Sequence, residues 1–212
     1  VPGGWVADKI FGAQKSVLIG AIIITLGHYV LAMPFEKTFF LGLVLVSIGT
    51  GFLKPNISTI VGQLYKPGDI RIDAGYTIFY MSINIGSMLG FLVCGYLGEK
   101  VGWHWGFGAA GVGMTFGVIQ YILTRKSLGE AGLKPNLEVN EDASRYKSFF
   151  YIAMTLLVLI IGTNFLGLWS IDAQVLNQLM VYLIISVAVL YFIYLFFFAG
   201  LNKKEKENIS MF

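Results

Sequence analysis

The chain has 212 residues and a net charge of +3; 56% of its residues are hydrophobic and only 13% are charged. Soluble domains carry about 25% charged residues, so this composition excludes an ordinary soluble protein and predicts an integral membrane protein. The single cysteine, Cys94, excludes an internal disulfide bond and a cysteine-based zinc cluster.

Hydropathy along the chain predicts an all-α membrane protein with about six transmembrane helices. The predicted spans are residues 16–33, 38–62, 74–97, 105–123, 148–169 and 175–200. Lysine and arginine are concentrated in the loops on one side of these spans, whereas the other side has only Lys37 and Lys100. The positive-inside rule makes the first side cytoplasmic and places both chain ends there.

The second predicted span contains Lys54 near its middle, in the sequence GTGFLKPNIS. A lysine at that depth costs about 2.5–3.5 kcal/mol on insertion scales. Such a residue is expected to face a cavity and to have a carboxylate partner. All 12 acidic residues of the chain fall in loops or at span ends. The sequence therefore predicts that the partner carboxylate belongs to a segment outside this chain.

Hydroxyl side chains lie on the same face as Lys54, because residues three, four and seven apart share one face of a helix. They are Ser47, Thr50 and Ser58. Pro55 removes one backbone hydrogen bond and favours a bend beside the lysine. We expect this face to line water or substrate, and Asn56, on the opposite face, to have a packing role.

The third predicted span has a similar polar face around Asn84. Its other members are Thr77, Tyr80 and Ser87. Small residues recur at four-residue spacing on roughly the opposite face, which predicts close helix packing there. They are Ser82, Gly86 and Gly90. Asn84 could contact a substrate, or it could form an interhelical hydrogen bond that only stabilises the bundle.

The fourth predicted span has the small-residue spacing without a polar face, so it predicts packing alone. Its small residues are Ala109, Gly113 and Gly117. Trp103 and Trp105 lie at its outer end, where amphipathic rings anchor helices in the membrane interface. His28, in the first span, has no second histidine or carboxylate within one turn, so we expect no metal site. The chain has no phosphate-binding loop or nucleophile elbow, and we expect no enzyme activity.

Residues 3–15, GGWVADKIFGAQK, resemble the loop between the second and third helices of the major facilitator superfamily. Gln14 followed by Lys15 stands where that motif usually has a strict arginine. The resemblance implies a conformational gating loop at this position. Its residues are Gly4, Asp8, Lys9, Gly12 and Lys15.

Three further segments resemble the proton-dependent oligopeptide transporters of that superfamily. They are GTGFLKPNIS (49–58), FYMSINIGSMLG (79–90) and GWHWGFGAAGVGM (102–114). The resemblance implies a partial bundle, covering roughly helices 3–6 and the two extra helices that bacterial members carry between their bundles. Four parts follow from it: residues 1–124 in the N-terminal bundle, 125–147 as a cytoplasmic linker, 148–200 as the extra helices, and 201–212 leading to the C-terminal bundle.

The same resemblance implies proton-coupled symport of di- and tripeptides. Family members have a Glu-x-x-Glu-Arg motif on the first helix that faces the fourth-helix lysine, so Lys54 would couple protonation to binding. Asn84 would contact the peptide backbone, with Tyr80, Thr50 and Ser87 beside it. Protons are the implied coupling ion, and no other cofactor is expected.

The expected partners are small peptides, the lipid bilayer of the inner membrane, and the missing N- and C-terminal parts of the same transporter. No nucleic-acid partner is expected, because the positive residues are distributed by topology. Two alternatives remain: a relative with a shifted substrate, such as nitrate or another small solute, and a non-transporting membrane remnant. The polar face around Lys54 argues against the second alternative, since a purely structural helix rarely keeps a lysine within the membrane.

Overall fold

The computed structural model describes residues 2–66, 68–133, 135, 143–165 and 173–197. Every regular element in these ranges is helical, which confirms the predicted all-α class. The chain divides into two compact units, Val1–Leu159 and Ile160–Phe212.

The described residues of the first unit form seven α-helices, the last of which continues into the second unit. They are α1 (Pro2–Val6), α2 (Ala13–Leu31), α3 (Glu36–Gln63), α4 (Ile72–Gly90), α5 (Tyr96–Lys100), α6 (Trp103–Thr124) and α7 (Ala143–Phe165). Two π-helical turns, Ala7–Phe11 and Phe91–Gly95, lead into α2 and join α4 to α5. A 3₁₀ turn, Arg125–Leu128, follows α6. The second unit contains the end of α7 and helix α8 (Ala173–Phe197).

In the part of the chain that the structure describes, five helical segments are long and apolar enough to cross a membrane. They are Ala13–Leu31, Thr38–Gln63, Ile72–Lys100, Trp103–Leu128 and Tyr146–Thr163. Each contains most of one of the first five predicted spans. The sixth prediction, residues 175–200, corresponds to a shorter apolar stretch, Gln178–Tyr194 within α8. Residues 198–200 and the end of the fifth predicted span, 166–169, lie outside the described residues.

Helices α2 and α3 pack through glycines that bring their backbones into contact. Gly20 of α2 faces Gly49 of α3, and Gly27 of α2 faces Gly42 of α3. On each helix the two glycines are seven residues apart. A methyl group added to Gly20 would lie 2.7 Å from the carbonyl oxygen of Gly49. A methyl group added to Gly42 would lie 2.9 Å from the carbonyl oxygen of Gly27. Glycine is therefore required on both helices of this seam.

The small-residue faces that the sequence predicts on the third and fourth spans do not pack in this way within the described residues. Apart from the adjacent backbone of its own helix, no described atom lies within 4 Å of the position a Cβ would take at Gly86, Gly90, Gly113 or Gly117. Helix α6 packs instead through Gly106, where a Cβ would lie 2.6 Å from the carbonyl oxygen of Cys94.

Two small hydrophobic clusters of described residues stabilise the first unit. One is formed by Val6, Ile10 and Phe52, with Tyr146 and Phe150 of α7 packed against it. The other joins α2, α3 and α6 near one end of these helices, and its buried members are Ala13, Val17 and Ile60. Helix α4 takes part in neither cluster and has no buried residue.

The first part of the predicted linker packs against the ends of α2 and α3. The side-chain amide of Gln14 donates hydrogen bonds to the carbonyl oxygens of Gly129, at 3.2 Å, and Ala131, at 2.8 Å. The main-chain N–H of Gly132 donates to Gln63 Oε1 at 2.6 Å. Gly132 has a φ of +68°, a left-handed conformation that glycine adopts readily. These contacts hold this part of the linker on the bundle.

Candidate functional site

Lys54 lies on α3 at an exposed position. Among the described residues, no acidic side chain forms an ion pair with it; Asp69, for example, pairs with Arg71 instead. Pro55 follows directly, yet α3 continues through it from Glu36 to Gln63. A long apolar helix thus carries an exposed ammonium group beside the position where proline removes a backbone donor.

The predicted hydroxyls of the Lys54 face lie at the surface or are half-buried. Ser47 and Thr50 are exposed, and Ser58 is half-buried. The Ser58 hydroxyl donates to the carbonyl oxygen of Lys54 at 3.2 Å and to that of Pro55 at 3.3 Å. This face is an open surface in the described chain, so a cavity here would need walls from segments outside it.

The predicted polar residues of α4 are also exposed, and their side chains bond to their own helix. Asn84 Nδ2 donates to the carbonyl oxygen of Tyr80 at 3.0 Å. The Ser87 hydroxyl donates to the carbonyl oxygen of Ile83 at 2.9 Å. Within the described ranges Asn84 has no interhelical hydrogen bond, so the bundle-holding role receives no support there. Tyr80 is 56% exposed and accessible to a ligand.

Asn56 has the packing role predicted for it. Its side chain is only 2% exposed. Its Nδ2 donates to the carbonyl oxygen of Phe52 at 2.7 Å and to that of Gly3 in α1 at 3.1 Å. Because a buried amide without partners would be costly, these bonds explain why a polar residue is tolerated on the packed face of α3.

Tyr76 is a functional candidate that the sequence analysis missed. Its hydroxyl donates to the main-chain carbonyl oxygen of Ser58 at 3.2 Å, and its ring stacks on that of Tyr80 with 6.3 Å between centroids. It joins the two helices that carry the predicted site. Tyr76 precedes Tyr80 by four residues and Asn84 by eight, so the same helical spacing could have added it to the polar face.

The predicted gating loop is helical rather than irregular. Ala7–Phe11 form a π-helical turn, which ends at Gly12 with a φ of +81°. Lys9 Nζ lies 5.9 Å from the centre of the Tyr146 ring, within the range of a cation–π interaction. Asp8 and Lys15 are exposed. A Cβ on Gly4 would lie 3.8 Å from Pro55 Cβ, so α1 packs against the residue that directly follows Lys54.

An apolar groove of about 560 Å³ lies next to the Lys54 face. It is lined by residues of α1, α3 and α7, including Trp5, Phe52, Phe150 and Met154. Ser47 is the polar side chain in its lining, and Lys54 and α4 do not contribute to it. This groove suits an apolar group rather than a zwitterionic ligand, so we do not assign it to substrate.

The turn before α4 contains a charged pair outside the spans. Arg71 Nη2 donates to Asp69 Oδ2 at 2.7 Å, and Arg71 Nε donates to Asp69 Oδ1 at 3.1 Å. These hydrogen bonds lower the pKa of the Asp69 carboxyl to about 2. Both groups are solvent-accessible in the turn, so the pair orders the start of α4 locally rather than stabilising the fold strongly.

The family model described as PTR2, POT family, matches residues 14–206. The peptide transporter YePEPT of Yersinia enterocolitica is 38% identical over 99% of this chain and 43% of its own length. The di-/tripeptide transporter of Lactococcus lactis subsp. lactis is 36% identical, over 100% of this chain and 43% of its own.

Solved structures agree with these matches. A crystal structure of a mutant peptide transporter POT in complex with alafosfalin aligns with a TM-score of 0.81 and 34% identity, covering 99% of this chain and 42% of that one. The chain therefore spans less than half the length of the relatives it matches, and the helical match is to one part of their fold.

Proposed function

This chain belongs to the POT family, and on that premise we propose that it forms part of a transporter that carries di- and tripeptides by proton-coupled symport. The rest of that protein, here called the full-length transporter, would supply the N- and C-terminal parts that its relatives have. Relatives described as peptide transporters favour peptides over a shifted substrate such as nitrate.

Lys54 is the observation that supports the proposal most strongly. It is an exposed ammonium group in an apolar span, and no carboxylate of the described residues pairs with it. A peptide is a zwitterion, so an ammonium group can bind its terminal carboxylate. Attraction between such charges is much stronger where water is scarce than in bulk solvent. Asn84, Tyr80, Thr50 and Ser87 would supply hydrogen bonds to the peptide around it.

Proton coupling follows because two carboxylates, one from outside this chain and one from the peptide, compete for Lys54. A carboxylate from outside this chain would pair with the ammonium group when no peptide is bound. Protonation neutralises that carboxylate and releases Lys54 for the carboxylate of the peptide. Loss of the proton on the other side of the membrane would restore the first pair and favour peptide release. Each cycle would then move one peptide together with at least one proton.

The bilayer is the proposed environment of the five apolar helices and of α8. Six spans bring both chain ends to one side of the membrane, and the charge distribution supports the cytoplasm as that side. The gating loop, from Gly4 to Lys15, would then lie on the cytoplasmic side. Its position beside Pro55 supports a role in the movement of α3, because α1 contacts that helix next to Lys54.

Uptake into vesicles tests the substrate class. We expect the full-length transporter, reconstituted with an inward proton gradient, to accumulate a labelled dipeptide and not nitrate. A protonophore should abolish accumulation. Empty vesicles and the variant Lys66→Ala, which changes an exposed lysine outside the spans, serve as controls. Accumulation of nitrate without dipeptide, or accumulation that survives the protonophore, would contradict the proposal.

A further inference from the structure

We propose that Tyr76 is a positioning residue that holds Tyr80 and Asn84 of α4 in place relative to Lys54 of α3. The inference rests on the proposed function, since it concerns the site at which the peptide would bind. It is drawn from the contacts that Tyr76 makes with both helices.

The hydroxyl of Tyr76 reaches the backbone of α3. It donates to the carbonyl oxygen of Ser58 at 3.2 Å. In an α-helix this carbonyl also faces the N–H of Gly62, four residues later, and its second lone pair remains available. Gly62 has no side chain to block the approach: a Cβ there would lie 2.6 Å from the Tyr76 hydroxyl oxygen. The glycine thus creates the space in which the phenol docks.

The ring of Tyr76 supports the neighbouring site residue. It stacks on Tyr80 at 6.3 Å between centroids, with 25° between the ring planes. The carbonyl oxygen of Tyr80 accepts the hydrogen bond of Asn84 Nδ2. On the other helix, the hydroxyl of Ser58 donates to the carbonyl oxygen of Lys54. A continuous series of contacts therefore runs from the turn that carries the lysine to the asparagine.

Within the described residues, few other contacts fix α4. None of its residues is buried; Tyr76 is half-buried, as is Phe79 among the other large side chains nearby. The ring of Tyr65 packs closely on Gly75 at the start of the helix. This contact and the hydrogen bond of Tyr76 to Ser58 both lie within the first turns of α4. Beyond Tyr76 the side chains of Tyr80, Asn84 and Ser87 are exposed. A change at Tyr76 should accordingly alter the position of the site residues without unfolding the protein.

The first test is Tyr76→Phe in the full-length transporter, which removes the hydroxyl and keeps the ring. We expect KM for a dipeptide to rise roughly two- to tenfold, the value of one neutral hydrogen bond, with little change in kcat and in protein abundance. Tyr76→Leu, which also removes the stacking on Tyr80, should raise KM further. An unchanged KM in Tyr76→Phe would overturn the proposal.

The second test uses Gly62→Ala, which displaces the Tyr76 hydroxyl without altering Tyr76 itself. Alone, it should raise KM about as much as Tyr76→Phe does. In the Tyr76→Phe background the nearest ring atom is Cζ, 3.7 Å from the new methyl carbon, an ordinary contact. Gly62→Ala should therefore add nothing there, and the two substitutions should be strongly non-additive. An equal cost of Gly62→Ala in both backgrounds would refute the docking role of the hydroxyl.

A distance measurement separates this inference from the proposed function. Spin labels at the exposed positions Thr59 of α3 and Ser82 of α4 report the spacing of the two helices without any substrate. We expect a broader or shifted distance distribution in Tyr76→Phe and in Gly62→Ala. An unchanged distribution would overturn the positioning role, even if dipeptide uptake is confirmed. A shifted distribution without dipeptide uptake would retain the positioning of α4 and reject the peptide substrate.

Discussion

Gly49→Ala should destabilise the protein because it separates the backbones of α2 and α3. The new methyl carbon would lie 2.7 Å from the carbonyl oxygen of Gly20 and 2.7 Å from Ile24 Cγ1. Carbon–oxygen contacts between helices normally occur at about 3.3–3.6 Å, so the helices must move apart by about 0.6–0.9 Å. Overpacking of this kind costs about 1–3 kcal/mol.

The matched control is Gly51→Ala on the same helix, where a Cβ would have no described atom within 4 Å apart from the adjacent backbone of α3. Both substitutions gain the higher helix propensity of alanine, about 1 kcal/mol, and this gain cancels in the comparison. We expect thermal unfolding of the purified chain in detergent to show Gly49→Ala less stable than Gly51→Ala by the full overpacking cost. Equal stability of the two variants would refute the close approach of α2 and α3.

The remaining predictions concern binding, topology and the turn before α4. Asn84→Ala in the full-length transporter should weaken dipeptide binding by about 0.5–1.5 kcal/mol per lost hydrogen bond, measured by titration; unchanged affinity would remove Asn84 from the site. In a cysteine-free background, Lys100→Cys should react with an impermeant reagent from outside and Lys66→Cys should not; the reverse result would invert the topology. Arg71→Gln should raise the pKa of Asp69 from about 2 towards its usual value of 3.8, as followed by NMR titration. The lowered pKa makes the pair favourable above pH 3.8, and this contribution disappears as the pH falls through 2.

Composition and hydropathy were sufficient to predict the helical class and the first five spans. The bilayer admits only long apolar helices or closed barrels, so few architectures fit such a sequence. The packing role of Asn56 also followed from its position on the face opposite Lys54. Only the structure identifies its two hydrogen-bond acceptors, the carbonyl oxygens of Phe52 and Gly3.

The helix contacts could not be predicted in the same way. Glycine occurs at 26 positions, and the spacing of Gly20 and Gly27 does not indicate which helix they face. The polar composition of the linker gave no sign that Gln14 and Gln63 would bind its first residues. Tyr76 lies on a polar face that spacing alone reveals, but its bond to Ser58 depends on the pairing of α3 with α4, which one sequence does not specify.

The most direct test of the account is the transport behaviour of Lys54→Ala in the full-length transporter. Without the ammonium group, the partner carboxylate stands unpaired in a poorly solvated site, which favours its protonated form. It should then stop releasing a proton in each cycle. We predict that vesicles with this variant lose gradient-driven dipeptide accumulation but retain dipeptide exchange without a gradient. Gradient-driven accumulation at the unmodified rate would contradict the coupling role of Lys54.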